Sequence, residues 1–410
     1  MLNALWVSFF AIAFGASVFQ FIGGDQAIFG TVMKAAFDAA KTAFEVALGL
    51  TGVMCLWLGV MKVGERAGFL DLLGRWLAPL FARLFPDVPK GHPALGSITM
   101  NMAANVLGLD NAATPMGLKA MRELQTLNPS PDTASNAQIL FLVLNASSVT
   151  LLPVTIFTYR AQMGAQDPTD VFIPILMATY CSTLAGFLFV STMQRLRVDA
   201  VVLAWLGGLS LAVGGAALYF AQLPAEQMTA QSSALSNFLL LGLVTLFLLG
   251  AVARKVNAYE AFIDGAKEGF QTAVSIIPYL VAMLVGIGML RASGALPAFV
   301  EGVRGLVLAL GFDTAWVDGL PTILMKPLSG SGARAMMVET MQASGADSFA
   351  GRLASIVQGS TETTFYVLAV YFGAVGIKRV RYAVAGGLIA DLAGFAAAIA
   401  AAYLFFGTMA

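Results

Sequence analysis

Three ionisable residues lie inside apolar stretches of the sequence: Lys326 in KPLSGSGARA, Glu362 in QGSTETTFY and Asp391 in GGLIADLAGF. A charged side chain in hydrocarbon is costly, so each is a functional candidate. Glu362 lies among four hydroxyl residues, a density unusual for packing alone, and we expect it to couple a proton or Na⁺ or to hold an amine. Asp391 is the second ion-coupling candidate. The alternatives are a packing hydrogen bond for Asp391 and snorkelling to the interface for Lys326.

Polar residues also collect in matched segments. The stretch NASSVT (145–150) aligns with QGSTET (358–363). In the same way NMAANVLGLDNAATP (101–115) corresponds to KPLSGSGARA, and both segments contain glycine and proline residues that interrupt a helix. Unwound backbone within a membrane is tolerated where it lines a cavity, and there its amide groups suit an anion and its carbonyl groups a cation. Interhelical hydrogen bonding without a ligand is the alternative. We predict one substrate site formed by Asn101, Asn105, Asp110, Asn111, Thr114, Asn145, Ser147, Ser148, Lys326, Ser329, Ser331, Arg334, Gln358, Ser360, Thr361, Glu362 and Thr363.

The elements that position these residues are membrane helices. Of 410 residues, 58% are hydrophobic and 11% charged, whereas a soluble domain carries about 25% charged residues. Uncharged stretches of about 20 residues are long enough to cross the hydrocarbon layer. Amphipathic segments 68–85 and 295–311 are predicted to lie along the interface, and interrupted segments 94–124 and 319–342 to form broken re-entrant helical hairpins. We predict an all-α polytopic membrane protein with about nine transmembrane helices, at 2–20, 46–62, 138–158, 171–193, 200–223, 235–253, 273–290, 353–372 and 383–406.

The sequence repeats itself. DAAKTAF (38–44) matches DGAKEGF (264–270) at a shift of 226 residues, and each copy leads into a span, an amphipathic segment, a hairpin, a polar span and a last span. The counterpart of the first span is the sixth predicted span, five positions later, and an odd shift makes the repeats inverted. We therefore predict a first repeat at 1–195, a connecting span and outer loop at 196–234, and a second repeat at 235–410. Inverted repeats that surround a binding site near the middle of the membrane are a recurrent architecture of secondary transporters.

Charge and composition predict the orientation in the membrane and exclude some classes of binding partner. The loop 224–234 carries no Lys or Arg and is predicted to lie outside, which places the N-terminus inside and the C-terminus outside. Zero net charge argues against a nucleic-acid partner, and the absence of a P-loop argues against ATP coupling. Neither the two cysteines nor the single histidine has a metal-ligand spacing, so no cofactor or metal is expected. An intramembrane enzyme using Glu362 and Asp391 lacks a Ser/His or His-rich arrangement, so the protein is predicted not to be an enzyme.

Longer motifs resemble a known family. GLDNAATPMGLKAM (108–121) resembles the signature of spore maturation protein A, whereas KPLSGSGARAMM (326–337) and QGSTETTFYVLAVYFGAVGIKRVRYA (358–383) resemble spore maturation protein B. The chain looks like a fusion of the two, in the nucleoside-recognition or Gate-domain group, which is similar in part to concentrative nucleoside transporters and to the gates of bacterial ferrous-iron transporters. The resemblance implies a bacterial inner-membrane protein with a transporter-like core. Asp110 departs from the signature, which has glycine there.

We interpret the sequence as a multi-pass inner-membrane secondary transporter that moves a small polar solute by alternating access. A midplane site would be formed by the two broken hairpins and the two polar helices. The Ser329–Arg334 loop is expected to hold an anionic group, and coupling to H⁺ or Na⁺ is expected at Glu362 or Asp391. The alternative is a non-transporting scaffold or sensor that binds a small molecule or a partner protein. Nucleosides, amino acids, peptides and cell-wall fragments are the open solute classes, and a homo-oligomer is left open.

Overall fold

The fold is entirely helical in the part of the chain that is described. The computed structural model describes residues 2–147, 150, 152–196 and 199–407, apart from the side chains of Leu2, Asp110, Asn111, Ala112, Ala225, Glu226 and Thr229. The helices before the centre of the chain are α1 (Leu2–Ile22), α2 (Ile28–Arg66), α3 (Phe69–Leu84), α4 (Pro93–Val106), α5 (Asp110–Gln125), α6 (Asn136–Ser147), α7 (Val154–Gln162), α8 (Phe172–Gln194) and α9 (Ala200–Ala221). Those after it are α10 (Ala225–Ala253), α11 (Ala258–Ala292), α12 (Ala295–Ala309), α13 (Leu320–Met325), α14 (Gly330–Ser344), α15 (Phe349–Ser360), α16 (Thr364–Gly373) and α17 (Ala383–Phe406), with a 3₁₀ turn at Ala315–Gly319 before α13.

Seven of the described helices are long and apolar enough to cross a membrane: α1, α2, α8, α9, α10, α11 and α17. The prediction of continuous helices at 138–158 and 353–372 was wrong, because each of these segments is interrupted near its middle. Pro153, which has no amide hydrogen, precedes α7. The chain at Thr361 is extended, and the Glu362 amide donates to the Ala146 carbonyl across the interruption at 2.8 Å. The two polar spans are therefore pairs of half-helices, α6 with α7 and α15 with α16.

The elements before and after α9 follow the same order. We call these two sets the first repeat (α1–α8) and the second repeat (α10–α17). Each begins with two long helices, of which the second is the longer, and continues with an amphipathic helix, a hairpin, two half-helices and a final long helix. The amphipathic helices α3 and α12 each begin after a left-handed glycine, Gly68 (φ 73°) and Gly294 (φ 71°), which lie 226 residues apart. The re-entrant hairpins expected from the sequence are α4–α5 and α13–α14.

Matched helices of the two repeats pack against each other in antiparallel pairs. A β-carbon added at Gly265 of α11 would lie 2.6 Å from Cβ of Lys62 in α2, and one added at Gly288 would lie 3.1 Å from Cβ of Ala39. Subtracting 226 from 265 gives 39, and adding 226 to 62 gives 288, so these two contacts are exchanged by the repeat. Higher numbers in α11 meet lower numbers in α2, which is the pairing that an inverted repeat produces about its axis.

The pair α8–α17 has the same antiparallel arrangement. Gly186 of α8 lies against Ala390, at 3.1 Å from an added β-carbon to the alanine Cβ, whereas Gly394 lies against Ser182 at 3.1 Å. Small residues allow close backbone approach between membrane helices, where lipid offers no hydrophobic drive to association. The two glycine-lined pairs thus form the tightly packed frame that holds the interrupted elements.

Candidate functional site

The four interruptions of the helical structure meet around one cavity of about 590 Å³. From the first repeat, Gly108 in the α4–α5 turn and residues 152–153 before α7 reach it. From the second repeat, residues 328–330 at the start of α14 and residues 361–363 before α16 complete the wall. Backbone that leaves the helical pattern inside a membrane must be satisfied by protein or by a water-filled space. The sequence of each interruption thus positions its neighbouring polar side chains at the cavity surface.

Three charged side chains of the second repeat line the cavity: Lys326, Arg334 and Glu362. Lys326 is 3% exposed, and its Nζ donates to the Gln358 carbonyl at 2.8 Å, so it ties the hairpin to α15 and does not snorkel to an interface. Arg334 forms no hydrogen bond or ion pair with the described residues, and the Glu362 carboxylate has only a long contact, 3.4 Å, from the Thr363 amide. The cavity therefore presents a guanidinium and a carboxylate that are not paired with each other.

The hairpin turn before α14 is built onto the α15–α16 interruption. Ser329 caps α14 by accepting a hydrogen bond from the Gly332 amide at 3.0 Å, and its hydroxyl lies 3.3 Å from that of Ser331. The Phe365 amide donates to the Pro327 carbonyl at 3.1 Å. A β-carbon added at Gly330 would lie 2.8 Å from Thr363 Oγ1, so a larger residue there would require the Thr363 side chain to shift. Hairpin and half-helix therefore form one polar wall.

Asparagines organise the facing wall from the first repeat. Asn105 donates to Asn145 Oδ1 at 3.0 Å, and Asn145 donates in turn to the Phe141 carbonyl at 2.9 Å. Asn101 donates to the Ala113 carbonyl at 2.7 Å and so closes the α4–α5 hairpin. Tyr371 of the second repeat reaches this network, with its hydroxyl 3.5 Å from Asn145 Oδ1. Buried polar networks of this kind fix geometry when each member is satisfied.

The structure brings most of the predicted site residues together. Those with described side chains that line the cavity are Asn105, Thr114, Asn145, Lys326, Ser329, Ser331, Arg334, Gln358, Thr361, Glu362 and Thr363. The side chains of Asp110 and Asn111, and all of Ser148, lie outside the described residues.

Four predicted residues lie elsewhere. Asn101 supports the hairpin from behind, and the hydroxyls of Ser147 and Ser360 bond to carbonyls of their own helices, at Leu144 (3.1 Å) and Val357 (2.8 Å). A hydroxyl in a helix often bonds back to the preceding turn, which removes it from a ligand. Asp391 lies behind the cavity wall and accepts from the Thr364 hydroxyl at 2.7 Å.

Sequence reasoning missed the tyrosines of the cavity. Tyr159, Tyr279, Tyr366 and Tyr371 line it, from α7, α11 and α16. Tyr371 also stacks on Phe141, with ring centroids 5.8 Å apart. A tyrosine offers a flat apolar face together with a hydroxyl, which suits a planar polar solute. One signal was available: Tyr366 and Tyr371 belong to the same long motif as Glu362, in TETTFYVLAVY.

A buried ion cluster joins the repeats beside the α7 end of the cavity. Arg160 is fully buried, and its Nη2 lies 2.8 Å from Asp170 Oδ1 and 3.1 Å from Asp347 Oδ1. Arg352 of α15 reaches the other oxygen of Asp170 at 2.7 Å. Burial raises the pKa of the Asp170 carboxyl above its ordinary value, although Arg160 and Arg352 act to lower it. Two arginines thus share two carboxylates across the junction of the repeats.

Comparisons with known proteins find relatives for both repeats. The family model described as Gate, nucleoside recognition, matches residues 47–163 and 273–378. Spore maturation protein A of Bacillus subtilis (strain 168) is 39% identical over 188 residues, which cover 46% of this chain and 93% of that protein. Spore maturation protein B of the same organism is 45% identical over 176 residues, covering 42% of this chain and 97% of that protein. The two segments matched by the family model contain all four interruptions around the cavity.

Proposed function

This chain belongs to the Gate (nucleoside recognition) family of membrane proteins, and on that premise we propose that it is a secondary transporter of a small polar solute. The solute would bind in the 590 Å³ cavity and be exposed to each side of the membrane in turn. The proposed location is the bacterial inner membrane, with the N-terminus inside and the C-terminus outside, because the loop 224–234 lacks basic residues.

The proposal rests on one observation: both repeats contribute to the cavity wall. Interrupted helices from both repeats supply it, and inverted repeats that enclose a central site with broken helices are the recurrent architecture of secondary transporters. The cavity volume also falls in the range of roughly 300–1,000 Å³ that small-molecule sites occupy. A structural role alone would not require that both repeats break at the same place and turn polar side chains inward.

The packing supports a division into fixed and moving parts. The antiparallel pairs α2–α11 and α8–α17 are in close glycine-mediated contact, so they form the frame. The hairpins and the half-helices are short and are connected by non-helical chain, where small changes in backbone angle are absorbed. We propose that these elements move against the frame to open the cavity alternately.

The lining favours a solute with opposite polar ends. Arg334 and the Ser329–Ser331 turn suit an anionic group such as a carboxylate, and Glu362 suits an amine or a coupling proton. The tyrosines would pack on a planar or apolar body. Nucleosides, amino acids, short peptides and cell-wall fragments are the classes to test, and the family description favours testing nucleosides first.

A second candidate function is a scaffold or sensor that binds the same solute without moving it. Two hydrogen bonds favour it: Lys326 Nζ to the Gln358 carbonyl, and the Glu362 amide to the Ala146 carbonyl, each at 2.8 Å. Both bonds hold interrupted elements to helical neighbours and would have to break or be carried along during alternating access.

Uptake by proteoliposomes separates the two functions. Solutes are first screened by the thermal stabilisation of the purified protein, and a stabilising solute is then used in radiolabelled counterflow. A transporter exchanges external label for internal solute, whereas a sensor binds the solute and shows no counterflow.

The coupling role of Glu362 is tested in the same vesicles. We expect Glu362→Gln to lose uptake that is driven by an ion gradient, because an uncharged amide cannot take up and release a proton or hold a cation. Glu45→Gln, at an exposed glutamate of α2 paired with Lys41, is the matched control and should retain it. Unchanged gradient-driven uptake by Glu362→Gln would remove Glu362 from the coupling mechanism.

A further inference from the structure

A second polar cluster lies behind the cavity wall, where α8, α17 and the α15–α16 interruption meet. It contains Asp391 of α17, Thr361 of the interruption and Ser182 of α8, which are 1%, 2% and 0% exposed. Asp391 Oδ1, Thr361 Oγ1 and Ser182 Oγ have no hydrogen-bond partner among the described residues. Buried polar groups are almost always paired, and an unpaired one in a native protein points to an unseen water or ion.

The packing places the three residues at the same part of α17. The Thr364 hydroxyl donates to Asp391 Oδ2 at 2.7 Å and thereby fixes the carboxylate with its other oxygen unused. One turn later in α17, a β-carbon added at Gly394 would lie 2.7 Å from Thr361 Cγ2 and 3.1 Å from Ser182 Cβ. Both hydroxyl residues therefore pack beside the same turn of α17. The Thr361 side chain lies close to the Asp391 carboxylate, although the hydroxyl and the carboxylate do not meet the geometry of a hydrogen bond.

The charge of the cluster selects a monovalent cation. Lys326 and Glu362 are charged side chains that interact with Asp391. Among the three proposed ligand side chains Asp391 carries the one negative formal charge, so one monovalent cation neutralises them. The donors are a carboxylate and neutral hydroxyls, and no group of three or more His, Cys, Asp or Glu residues suited to a metal occurs among the described residues. A single carboxylate balances the charge of a monovalent ion, whereas it leaves a divalent ion with an uncompensated positive charge in a buried site.

We propose that Asp391 Oδ1, Thr361 Oγ1 and Ser182 Oγ bind a Na⁺ ion, with further ligands from the carbonyl groups at the end of α15. The last four carbonyl groups of a helix lack helical partners. Thr361 leaves the helix in an extended conformation directly after Ser360. The Val357 and Gln358 carbonyls already accept from Ser360 Oγ and Lys326 Nζ, so the carbonyls of Gly359 and Ser360 are the candidates for additional ligands. Carbonyls at interrupted helices are the usual Na⁺ ligands of membrane transporters.

The location also connects the ion to the solute cavity, a step that rests on the proposed function. Thr361 belongs to the ion cluster and also borders the cavity, which the next two residues, Glu362 and Thr363, line as well. An ion held by Thr361 would fix the backbone of the interruption and hence the orientation of Glu362. Occupation of the ion site would then set the shape of the solute site through one short segment.

Thermal unfolding of the purified full chain tests the ion site without any transport. The midpoint Tm is measured as NaCl replaces choline chloride at constant ionic strength, and again with KCl. We expect Tm to rise with the logarithm of the Na⁺ concentration, because an ion that binds the folded state alone stabilises it by mass action. K⁺ and choline should give no such rise. A Tm that responds equally to all three salts would overturn the proposal.

Substitutions test whether the Na⁺-dependent rise in Tm arises at this site. Asp391→Asn should abolish the Na⁺-dependent rise, and Thr361→Val and Ser182→Ala should each shift its midpoint to at least about tenfold higher Na⁺, because each removes one ligand oxygen. The two hydroxyl variants decide the question if Asp391→Asn does not fold. Ser232→Ala is the matched control: Ser232 is 1% exposed and its hydroxyl is also unpaired, but it lies in α10.

Two further results would contradict the assignment. One is a shift with Ser232→Ala as large as that with Ser182→Ala, because the effect would then be general loss of a buried hydroxyl. The other is a stability that follows pH and ignores Na⁺, because a proton on Asp391 would then occupy the site. Either result leaves counterflow measurable, so failure of the ion site is distinguishable from failure of the transport proposal.

Discussion

At the scale of single residues, the unpaired guanidinium of Arg334 is the feature of the cavity that most directly defines a ligand. A charge that is partly withdrawn from water needs a partner, and the described residues supply none. Arg334 lies one turn into α14, beyond the Ser329 cap, where the positive end of the helix adds to its attraction for an anion. An anionic group of the solute would complete this arrangement.

We expect Arg334→Gln to weaken the binding of a solute that carries a carboxylate or phosphate by about 10- to 100-fold, the worth of a hydrogen bond to a charged group. The affinity of a solute without the anionic group should change little. Calorimetric titration of such a solute pair measures the difference. Lys119→Gln, at an exposed lysine of α5, serves as control. Equal losses for both members of the pair would show that Arg334 acts by shaping the cavity.

Sequence reasoning predicted side-chain types at the site better than side-chain directions. It identified Lys326 and Glu362 because charge in an apolar stretch is a strong signal, and Arg334 because it lies in the interrupted hairpin. It did not separate Ser360 from Thr361, since the direction of each depends on the residue at which α15 ends, and both carry hydroxyls. The cavity tyrosines were missed because aromatic residues are ordinary components of membrane helices.

At the scale of elements, the antiparallel contact between α2 and α11 is the tightest described in the frame. A β-carbon added at Gly269 would lie 2.7 Å from the Met54 carbonyl oxygen, which belongs to backbone and cannot rotate away. The helices are 39 and 35 residues long, so at 1.5 Å per residue each extends roughly 50–60 Å. Both exceed the hydrocarbon thickness of about 30 Å and must tilt or project beyond it.

Gly269→Ala should therefore lower the free energy of unfolding by about 1–3 kcal/mol, the cost of overpacking. The control is Gly302→Ala in α12, where no atom lies within 4 Å of the added carbon. It should be neutral or raise stability by up to about 1 kcal/mol, because alanine favours a helix more than glycine does. Denaturant titration in mixed micelles measures both. A loss from Gly302→Ala as large as that from Gly269→Ala would contradict the packing argument.

The interrupted spans show what apolar composition does not reveal about an element. Residues 138–158 and 353–372 are apolar enough to predict continuous helices, and the repeat assigned them correctly to each other. The interruptions depend on backbone partners from other elements, such as the Ala146 carbonyl that accepts from the Glu362 amide. Such long-range pairing is invisible in the local sequence, although Pro153 marked one of the two breaks.

At the scale of the whole molecule, the cluster of Arg160, Asp170, Asp347 and Arg352 holds the two repeats together. Asp170 pairs with one arginine from each repeat, and its side chain is 3% exposed. Removing one member of a buried ion cluster is costly because the remaining charges lose their compensation. The cluster lies next to Tyr159 of the cavity, so it ties the repeats beside one end of the proposed site.

Asp170→Asn should lower the free energy of unfolding by about 3–5 kcal/mol, since two buried arginines would lose a shared carboxylate while the side-chain shape is kept. Asp264→Asn provides the comparison: its pair with Arg66 is exposed, with 42% of each side chain accessible. Exposed pairs contribute about 0–1 kcal/mol. The same denaturant titration measures both variants, and similar small losses would show that the cluster is not needed to join the repeats.

The helix α9 has no counterpart in either repeat, and its buried residues are Val202 and Phe220 alone, in a helix that is described throughout. It rests on the first repeat through Trp76 and Trp205, whose ring centroids lie 4.2 Å apart. A polypeptide that joins two oppositely oriented halves needs one additional crossing so that the second half starts from the opposite leaflet. Two separate chains, such as the two Bacillus relatives, have no such requirement. The helix therefore provides the crossing that lets one chain carry both halves, a role that calls for length and an apolar surface more than for specific contacts.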